Sequence, residues 1–324
     1  MNRLITRILP IALAAFAAAA SAQQYPTKNI SMLVPYAAGG PTDTVARVTA
    51  QAMGKPLGQT IIVENKPSAG GILAPEQVKN AKPDGYTILI HHIGMATTPA
   101  LYRNLRFKPL EDFEPIGLIN DVPMTVIAND KVPAKDFKEF LAYIKANKDK
   151  VSYANAGIGA ASHLCGMLFM SAIETDLLTV PYKGTAPAMN DLLGGQVTFM
   201  CDQTTNTTSQ IKSGKVKAFA VTSKKRVPSL PDIPTLDELG LKGFEVGIWH
   251  GLYAPKATPK PVLDKLVASL QEALKDETVK KRFADLGAET APVSQQNPAA
   301  LQKHLKAEID KWGPLIKKAG VYAD

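Results

Sequence analysis

Cysteines, histidines and long apolar runs are all scarce in this chain, and each scarcity closes off a class of function. The five histidines (91, 92, 163, 250 and 304) show no paired helical spacing and no accompanying carboxylate cluster, so no metal site is expected. No lysine follows either glycine-rich turn, which excludes a nucleotide P-loop. Gly157-x-Gly159 leads to Ser162 where a dinucleotide fingerprint needs its third glycine. There is no Gly-x-Ser-x-Gly elbow, and Ser162 and His163, adjacent in a helical first turn, are poorly placed as nucleophile and base. No cofactor and no catalytic residue are therefore expected. The longest apolar run, residues 8–20, is about 13 residues, short of the roughly 20 that a spanning helix needs.

That run carries a different meaning. Arg3 and Arg7 precede it and Ala20-Ser-Ala22 follows, the layout of a removable export signal over residues 1–22. The mature chain is expected to work outside the cytoplasm, with no direct membrane insertion. No lipobox cysteine lies near the cleavage point, so no lipid anchor is expected either. Without Arg3 and Arg7 the formal charge of +8 becomes +6, and the lysines are scattered rather than clustered with aromatics. An exported chain of this kind is not a nucleic-acid binder. In an oxidising compartment the two cysteines, Cys165 and Cys201, can bridge, the other reading being two buried thiols.

What the chain does contain is one piece of grammar written twice, about 120 residues apart. A short apolar strand runs into a glycine-rich turn and then a helix. The first copy is Ile30-Ser-Met-Leu-Val-Pro-Tyr-Ala-Ala-Gly-Gly-Pro-Thr-Asp43, and the second is Val151-Ser-Tyr-Ala-Asn-Ala-Gly-Ile-Gly-Ala-Ala-Ser-His163. A helix N-terminus leaves N–H groups unpaired and carries about half a positive charge, so it attracts anions without a basic side chain. Two such ends suggest a small carboxylate held between two lobes.

Strands and helices alternate along most of the chain, implying an α/β fold with mostly parallel sheets flanked by helices. Strands are expected over 113–119 and 124–128, broken at Asp121-Val-Pro123, and helices over 42–53, 162–172, 187–193 and 205–213. After residue 254 only helices remain. Val262, Leu263, Leu266, Val267, Leu270 and Leu274 form one apolar face, and Leu301, Leu305, Ile309, Trp312 and Ile316 another. These helices have no strands of their own to cover, so they are expected to pack back onto the N-terminal part. The chain then crosses between lobes twice, near 120–123 and within 222–249. The expected division is 23–121 plus 245–324 for lobe 1 and 122–244 for lobe 2, with the ligand cleft between them.

Ligands of open α/β sheets sit at strand C-termini. That places Tyr36, Ala38, Gly39, Gly40, Thr42 and Asp43 of the first turn at the cleft, with Asp43 orienting the loop or pairing with Arg47. Gly157, Gly159, Ala160, Ser162 and His163 come from the second turn. Met95 and Ala96 follow the strand that ends at His91, and Tyr182 and Asp202 stand at two further strand ends.

Several motifs together resemble the receptors of tripartite tricarboxylate transporters, the Bug receptor family. They are Val34-Pro-Tyr-x-x-Gly-Gly-x-x-Asp43-x-x-Ala-Arg47, Val63-Glu-Asn-Lys-Pro-x-Ala-Gly-Gly71, Pro83-Asp-Gly-Tyr-Thr87, Val180-Pro-Tyr-Lys-Gly184 and Leu193-Gly-Gly-Gln196. The resemblance runs along essentially the whole mature chain. It implies a two-lobed, type II-like periplasmic binding protein that closes like a flytrap on mono-, di- or tricarboxylates. It further implies that the loops at Tyr36–Asp43 and Ala156–His163 pinch a carboxylate, often through water, and that permease subunits of the transporter are the partners. The receptor is expected to act as a monomer. Small residues such as Ala37, Ala38 and Ala160 leave room for an aromatic dicarboxylate, while aliphatic diacids and monocarboxylates stay open. A sensory receptor that docks on a histidine kinase is the alternative reading, and an exported hydrolase a more distant one.

Overall fold

The computed structural model describes residues 25–320, 322 and 323, so the leader read at residues 1–22 lies outside the described residues. β1 (Ile30–Val34) runs into α1 (Pro41–Leu57), which starts on a proline whose fixed φ suits a first helical turn and stops at Gly58 in the left-handed region. Then follow β2 (Ile61–Asn65), α2 (Leu73–Lys79), β3 (Thr87–His92) and α3 (Gly94–Leu101). β4 (Phe113–Ala128) is the long central strand. Beyond it come α4 (Phe137–Ala146), β5 (Ser152–Asn155), α5 (Ala161–Ala172), β6 (Leu178–Pro181), α6 (Thr185–Gly194), β7 (Phe199–Gln203), α7 (Thr204–Lys212) and β8 (Lys217–Val221). The chain returns through β9 (Gly247–Pro255), α8 (Lys260–Lys275), α9 (Glu277–Asp285), β10 (Glu289–Thr290) and α10 (Pro298–Ala319).

The strand order is β2-β1-β3-β9-β4-β7-β5-β6, with β8 and β10 also pairing β4. The sheet is mixed. Parallel pairing holds at its two ends, β1 with β2 and β3, and β5 with β6 and β7. The centre is antiparallel because β4 carries the chain out and β9 brings it back, and both β7 and β8 run against β4.

β4 differs from the two broken strands that the sequence suggests. It is continuous over sixteen residues and serves both ends of the sheet. Residues 113–123 pair with β9, and 124–128 pair with β7 and β8. Pro123 does not break it, because Pro123 opposite Gly247 is the last pair of the β9 ladder, where a missing N–H costs little. Two register shifts, at Pro115/Gly117 and Leu118/Asn120, absorb the strand's twist on the β9 side.

The outgoing and returning chains are stitched where β4 passes from one set of partners to the other. Thr222 N–H donates to the Met124 carbonyl (2.9 Å), and Met124 N–H donates to Thr222 Oγ1 (3.0 Å). Thr222 Oγ1 in turn donates to the Val246 carbonyl (2.6 Å), while Val246 N–H donates to the Thr222 carbonyl (3.1 Å). Three chain segments thus share one buried threonine.

The late helices cover the β1 side. Leu266, Leu270 and Leu274 of α8 and Leu301, Leu305, Trp312 and Ile316 of α10 are buried, with α8 packed on α1 and α10 on α3 and β4. Cys165 of α5 and Cys201 of β7 are joined by a disulfide, their Cα atoms 6.1 Å apart. Among the described residues no helix is long and apolar enough to cross a membrane.

Candidate functional site

Four helices begin at one place. Pro41 opens α1, Ala161 opens α5, Thr185 opens α6, and Gln203 is the residue just before α7. All four line a single small cavity with Tyr36, Thr42, His92, Ala156, Ala160, Ser162 and Asp202. None of the four helix starts is capped by a side chain. Of the helices that begin elsewhere, α4, α9 and α10 are capped by Asp136, Asp276 and Asn297, while α2, α3 and α8 start without a side-chain cap as well. Uncapped first-turn N–H groups and four converging helix dipoles make this cavity electropositive without a Lys or Arg in its wall. The free space is about 10 Å³, the room that one water takes on the same scale.

The strand-to-helix turns that carry these starts are held from behind. Asp43 accepts from the Gly39 N–H (2.9 Å), from Arg47 Nε (2.9 Å) and Nη2 (3.0 Å), and from Asn65 Nδ2 (3.0 Å). Burial opposes its ionisation, but the Arg47, Gly39 and Asn65 bonds prevail and hold its carboxyl below the usual range. Asp43 is thus a positioning residue, and Gly39 N–H is already engaged by it. In the second turn Ser162 Oγ accepts from the Ala156 N–H (2.9 Å), so the hydroxyl hydrogen is free for the cavity. Asn155 Oδ1 accepts from the Gly157 N–H (2.8 Å).

A wall of aromatic rings closes one side. Tyr36 stacks on His92, ring centroids 4.9 Å apart and planes 19° from parallel. Gly94 N–H donates to His92 Nδ1 (2.9 Å), so the neutral ring carries its hydrogen on Nε2. Burial drives His92 well below its ordinary pKa, His91 down to about 4 and His250 down to about 3. Asn120 Oδ1 meets His250 Nδ1 at 2.9 Å, and Thr42 Oγ1 lies 3.5 Å from His250 Nε2. On the opposite side Asp202 is buried, and burial raises its carboxyl to about 6 despite a bond from Asn206 Nδ2 (2.6 Å).

Backbone contacts close the cavity from β1-side to β5-side elements. Ala37 N–H donates to the Lys183 carbonyl (3.2 Å), Gly70 N–H to Ala156 (3.4 Å), Tyr102 Oη to Ile158 (2.8 Å) and Thr97 Oγ1 to Gly159 (3.0 Å).

Of the residues singled out in the sequence, Tyr36, Thr42, Ala160, Ser162 and Asp202 reach the cavity wall. Gly40 precedes Pro41, and Gly157 and Gly159 sit in the closing seam. Several lie elsewhere. Met95 and Ala96 are in the core, because residues 94–101 form a buried helix packed against α10. Ala38 and Gly39 face solvent. His163 does not line the cavity, and Tyr182 donates its hydroxyl to Asp191 (2.6 Å). Ala156 and Ala161, inside the second turn, and Gln203, beside Asp202, also reach the wall, and Thr185 joins it from a turn that the sequence did not single out. The signal for Thr185 is Gly184, a glycine at φ +140 just before the helix, which starts two residues earlier than Pro187 suggests.

Two larger grooves, of about 240 and 450 Å³ against about 10 Å³ at the helix starts, flank the N-terminal end of β9 and share Asp121, Glu245 and Glu289. Burial and the nearby Glu289 push the Asp121 carboxyl up. Such acidic walls repel an anion and do not suit a carboxylate.

Residues 45–321 match the model of the tripartite tricarboxylate transporter family receptor, TctC. The chain is 51% identical over 298 residues to the UPF0065 protein in the TAR-I ttuE-ttuC' intergenic region of Agrobacterium vitis, covering 91% of this chain and 86% of that one. It is similar in structure to the periplasmic binding protein BugD, at 59% identity and a TM-score of 0.90, covering 92% of this chain and 99% of BugD. MatC from Rhodopseudomonas palustris, solved with bound malate, is 40% identical with a TM-score of 0.87, covering 90% of this chain and 100% of MatC. Its sequence motifs, its fold and these likenesses agree: the chain belongs to the tripartite tricarboxylate transporter receptor family and is a periplasmic solute-binding receptor, not an enzyme.

Proposed function

We propose that this receptor captures a small carboxylate in the cavity at the four helix starts and delivers it to the membrane permease of a tripartite tricarboxylate transporter. The observation that carries this reading is the convergence of four uncapped helix N-termini on one small cavity with no cationic side chain in its wall. Each helix end contributes typically 0.3–1 kcal/mol toward an anion, so four supply about 1–4 of the roughly 8 kcal/mol that micromolar binding requires. Ser162 Oγ–H, His92 Nε2–H and the buried body of the solute supply the remainder. Bridging waters serve in such a site nearly as well as direct hydrogen bonds.

Capture proceeds by closure. Residues 23–121 with 245–324 form one lobe and 122–244 the other, joined at Met124, Thr222 and Val246. With room for about one water, the cavity at the helix starts is too small for a carboxylate, so the lobes part to load and the seam at Ala37, Gly70, Thr97 and Tyr102 re-forms on closing. The leader at residues 1–22 sends the chain to the periplasm.

A thermal-shift screen of mono-, di- and tricarboxylates, followed by calorimetry, tests this directly. A true ligand at 100 times its Kd adds about 2.7 kcal/mol of stability. Co-purification of the loaded protein with its permease tests delivery. A screen in which no carboxylate shifts the transition, or a bound solute lying away from the four helix starts, overturns the reading.

A further inference from the structure

One wall residue has the wrong sign for a cavity that attracts anions. Asp202, next to last in β7, has 1% of its surface exposed and no Lys or Arg ion partner among the described residues. Gln203 beside it is 2% exposed, and its Oε1 has no hydrogen-bond partner. Asp202 accepts from Asn206 Nδ2, and the Gln203 N–H and the Thr185 side chain also favour its charged form, but it has no cation beside it, and no group donates to Gln203 Oε1. A buried acceptor without a donor costs about 1–3 kcal/mol, and an unpaired buried carboxylate costs more. Asp202 and Gln203 thus present two acceptors to the same space into which Ser162 and His92 direct donors.

We infer that Asp202, with Gln203, selects a carboxylate that also carries a hydrogen-bond donor, either a hydroxyl or an ammonium. The inference rests on the carboxylate-receptor reading and refines it. The helix starts hold the solute's carboxylate; the end of β7 reads the substituent. A diacid without a donor leaves Gln203 Oε1 orphaned and sets its own charge against that of Asp202. A hydroxyl satisfies one acceptor, and an ammonium satisfies both and neutralises Asp202. The bond between Asp202 and Asn206 orients the carboxyl for this task.

The test is calorimetry at pH 7.5 on the mature full-length receptor with matched solutes. Succinate, malate and aspartate differ only in hydrogen, hydroxyl or ammonium at one carbon. The same three-way comparison is made for whichever carboxylate the thermal-shift screen selects. The expected result is at least about ten-fold tighter binding of a donor-bearing member than of its parent, the scale of one hydrogen bond to a charged group. In Asp202→Asn that ratio is expected to fall to within about three-fold while the parent diacid binds as well or better. The hydroxyl and ammonium arms show which donor is read. A parent diacid that binds as tightly as its hydroxy and amino analogues overturns the inference and leaves the receptor reading standing. So does a preference that survives intact in a folded Asp202→Asn. Should that variant fail to fold, the wild-type ratios alone decide. Failure of every carboxylate to bind defeats the receptor reading itself, and the inference with it.

Discussion

The hydroxyl of Tyr102 donates to the main-chain carbonyl of Ile158 at 2.8 Å, reaching from the segment after α3 to the second glycine turn. Thr97 does the same to Gly159. These two bonds fasten the mouth of the cavity, where neither partner belongs to the floor that would hold a solute.

Tyr102→Phe removes the first of them and keeps the ring. Hydrogen bonds of this kind are worth about 0.5–1.5 kcal/mol net, so carboxylate affinity is expected to fall about three- to ten-fold. Titration calorimetry measures it. An unchanged Kd in both Tyr102→Phe and Thr97→Val would remove the seam from the binding cycle.

The glycines of the two turns are not equivalent. At Gly157, φ +94, an added Cβ stands 2.7 Å from the Gly70 nitrogen, so it strains the turn and pries the seam open. At Gly40 the nearest atom, the Ala37 carbonyl oxygen, is 3.4 Å away and φ is −83. Gly157→Ala is therefore expected to weaken binding more than about ten-fold and Gly40→Ala less than about three-fold. Equal losses in the two variants would contradict this ordering.

Acid should destabilise the protein above the pH at which ordinary carboxylates protonate. Burial holds His91 and His163 down to about 4, His250 down to about 3, and His92 well below its ordinary value of 6.5. The unfolded chain takes up these protons first, so stability is full above about pH 6.5 and drains as pH falls toward 4. Asp202 acts in the opposite sense. Its folded value of about 6 lies above its ordinary 3.8, so its contribution is present at low pH and is lost as pH rises from about 4 to 6. His304 is lowered by burial too and Asp121 is raised like Asp202, so five histidines outweigh two carboxylates. Urea unfolding is expected to show lower stability at pH 5 than at pH 7, and a steeper loss in Asp202→Asn. Greater stability at pH 5 in the wild type would count against the neutral histidine cluster.

Cys165 and Cys201 lie 36 residues apart in sequence and are both buried beneath the second turn. Closing a loop of that size removes about 4 kcal/mol of unfolded-chain entropy, and measured values typically run about 2–4. The double variant Cys165→Ala, Cys201→Ala is expected to lose stability on that scale in urea while its carboxylate Kd stays within about two-fold, since neither sulfur lines the cavity. A large change in Kd with unchanged stability would reverse the assignment.

Much of the site's address is legible in the chain, and the misses have identifiable causes. Tyr36, Thr42, Ala160, Ser162 and Asp202 stand next to strand C-termini, which is where an α/β sheet exposes its turns, so position alone points to them. The helix at Gly94–Leu101 leaves no amphipathic trace, because it is buried on most sides and carries Pro99, so Met95 and Ala96 read as cleft residues when they are core. Pro123 reads as a strand breaker, yet it stands at the last pair of the β9 ladder, where a missing N–H costs little. Tyr182 shares its position with true wall residues, but Asp191, one turn along α6, captures its hydroxyl.

The amino-acid order by itself determined the alternation of strands and helices, the two glycine turns, the apolar faces of the last helices and the family, because these depend on local propensity, spacing and motif. It also suggested an anion site without basic residues, since glycine turns that open helices carry that chemistry locally. Only the folded chain brought the starts of α5, α6 and α7 against the start of α1, which lies more than a hundred residues earlier. The same folding placed Asp202 and Gln203 in the wall and sealed the mouth with Thr97 and Tyr102. Those contacts join residues that no local pattern relates; they exist because β4 and β9 carry the chain out and back and fix which turns meet.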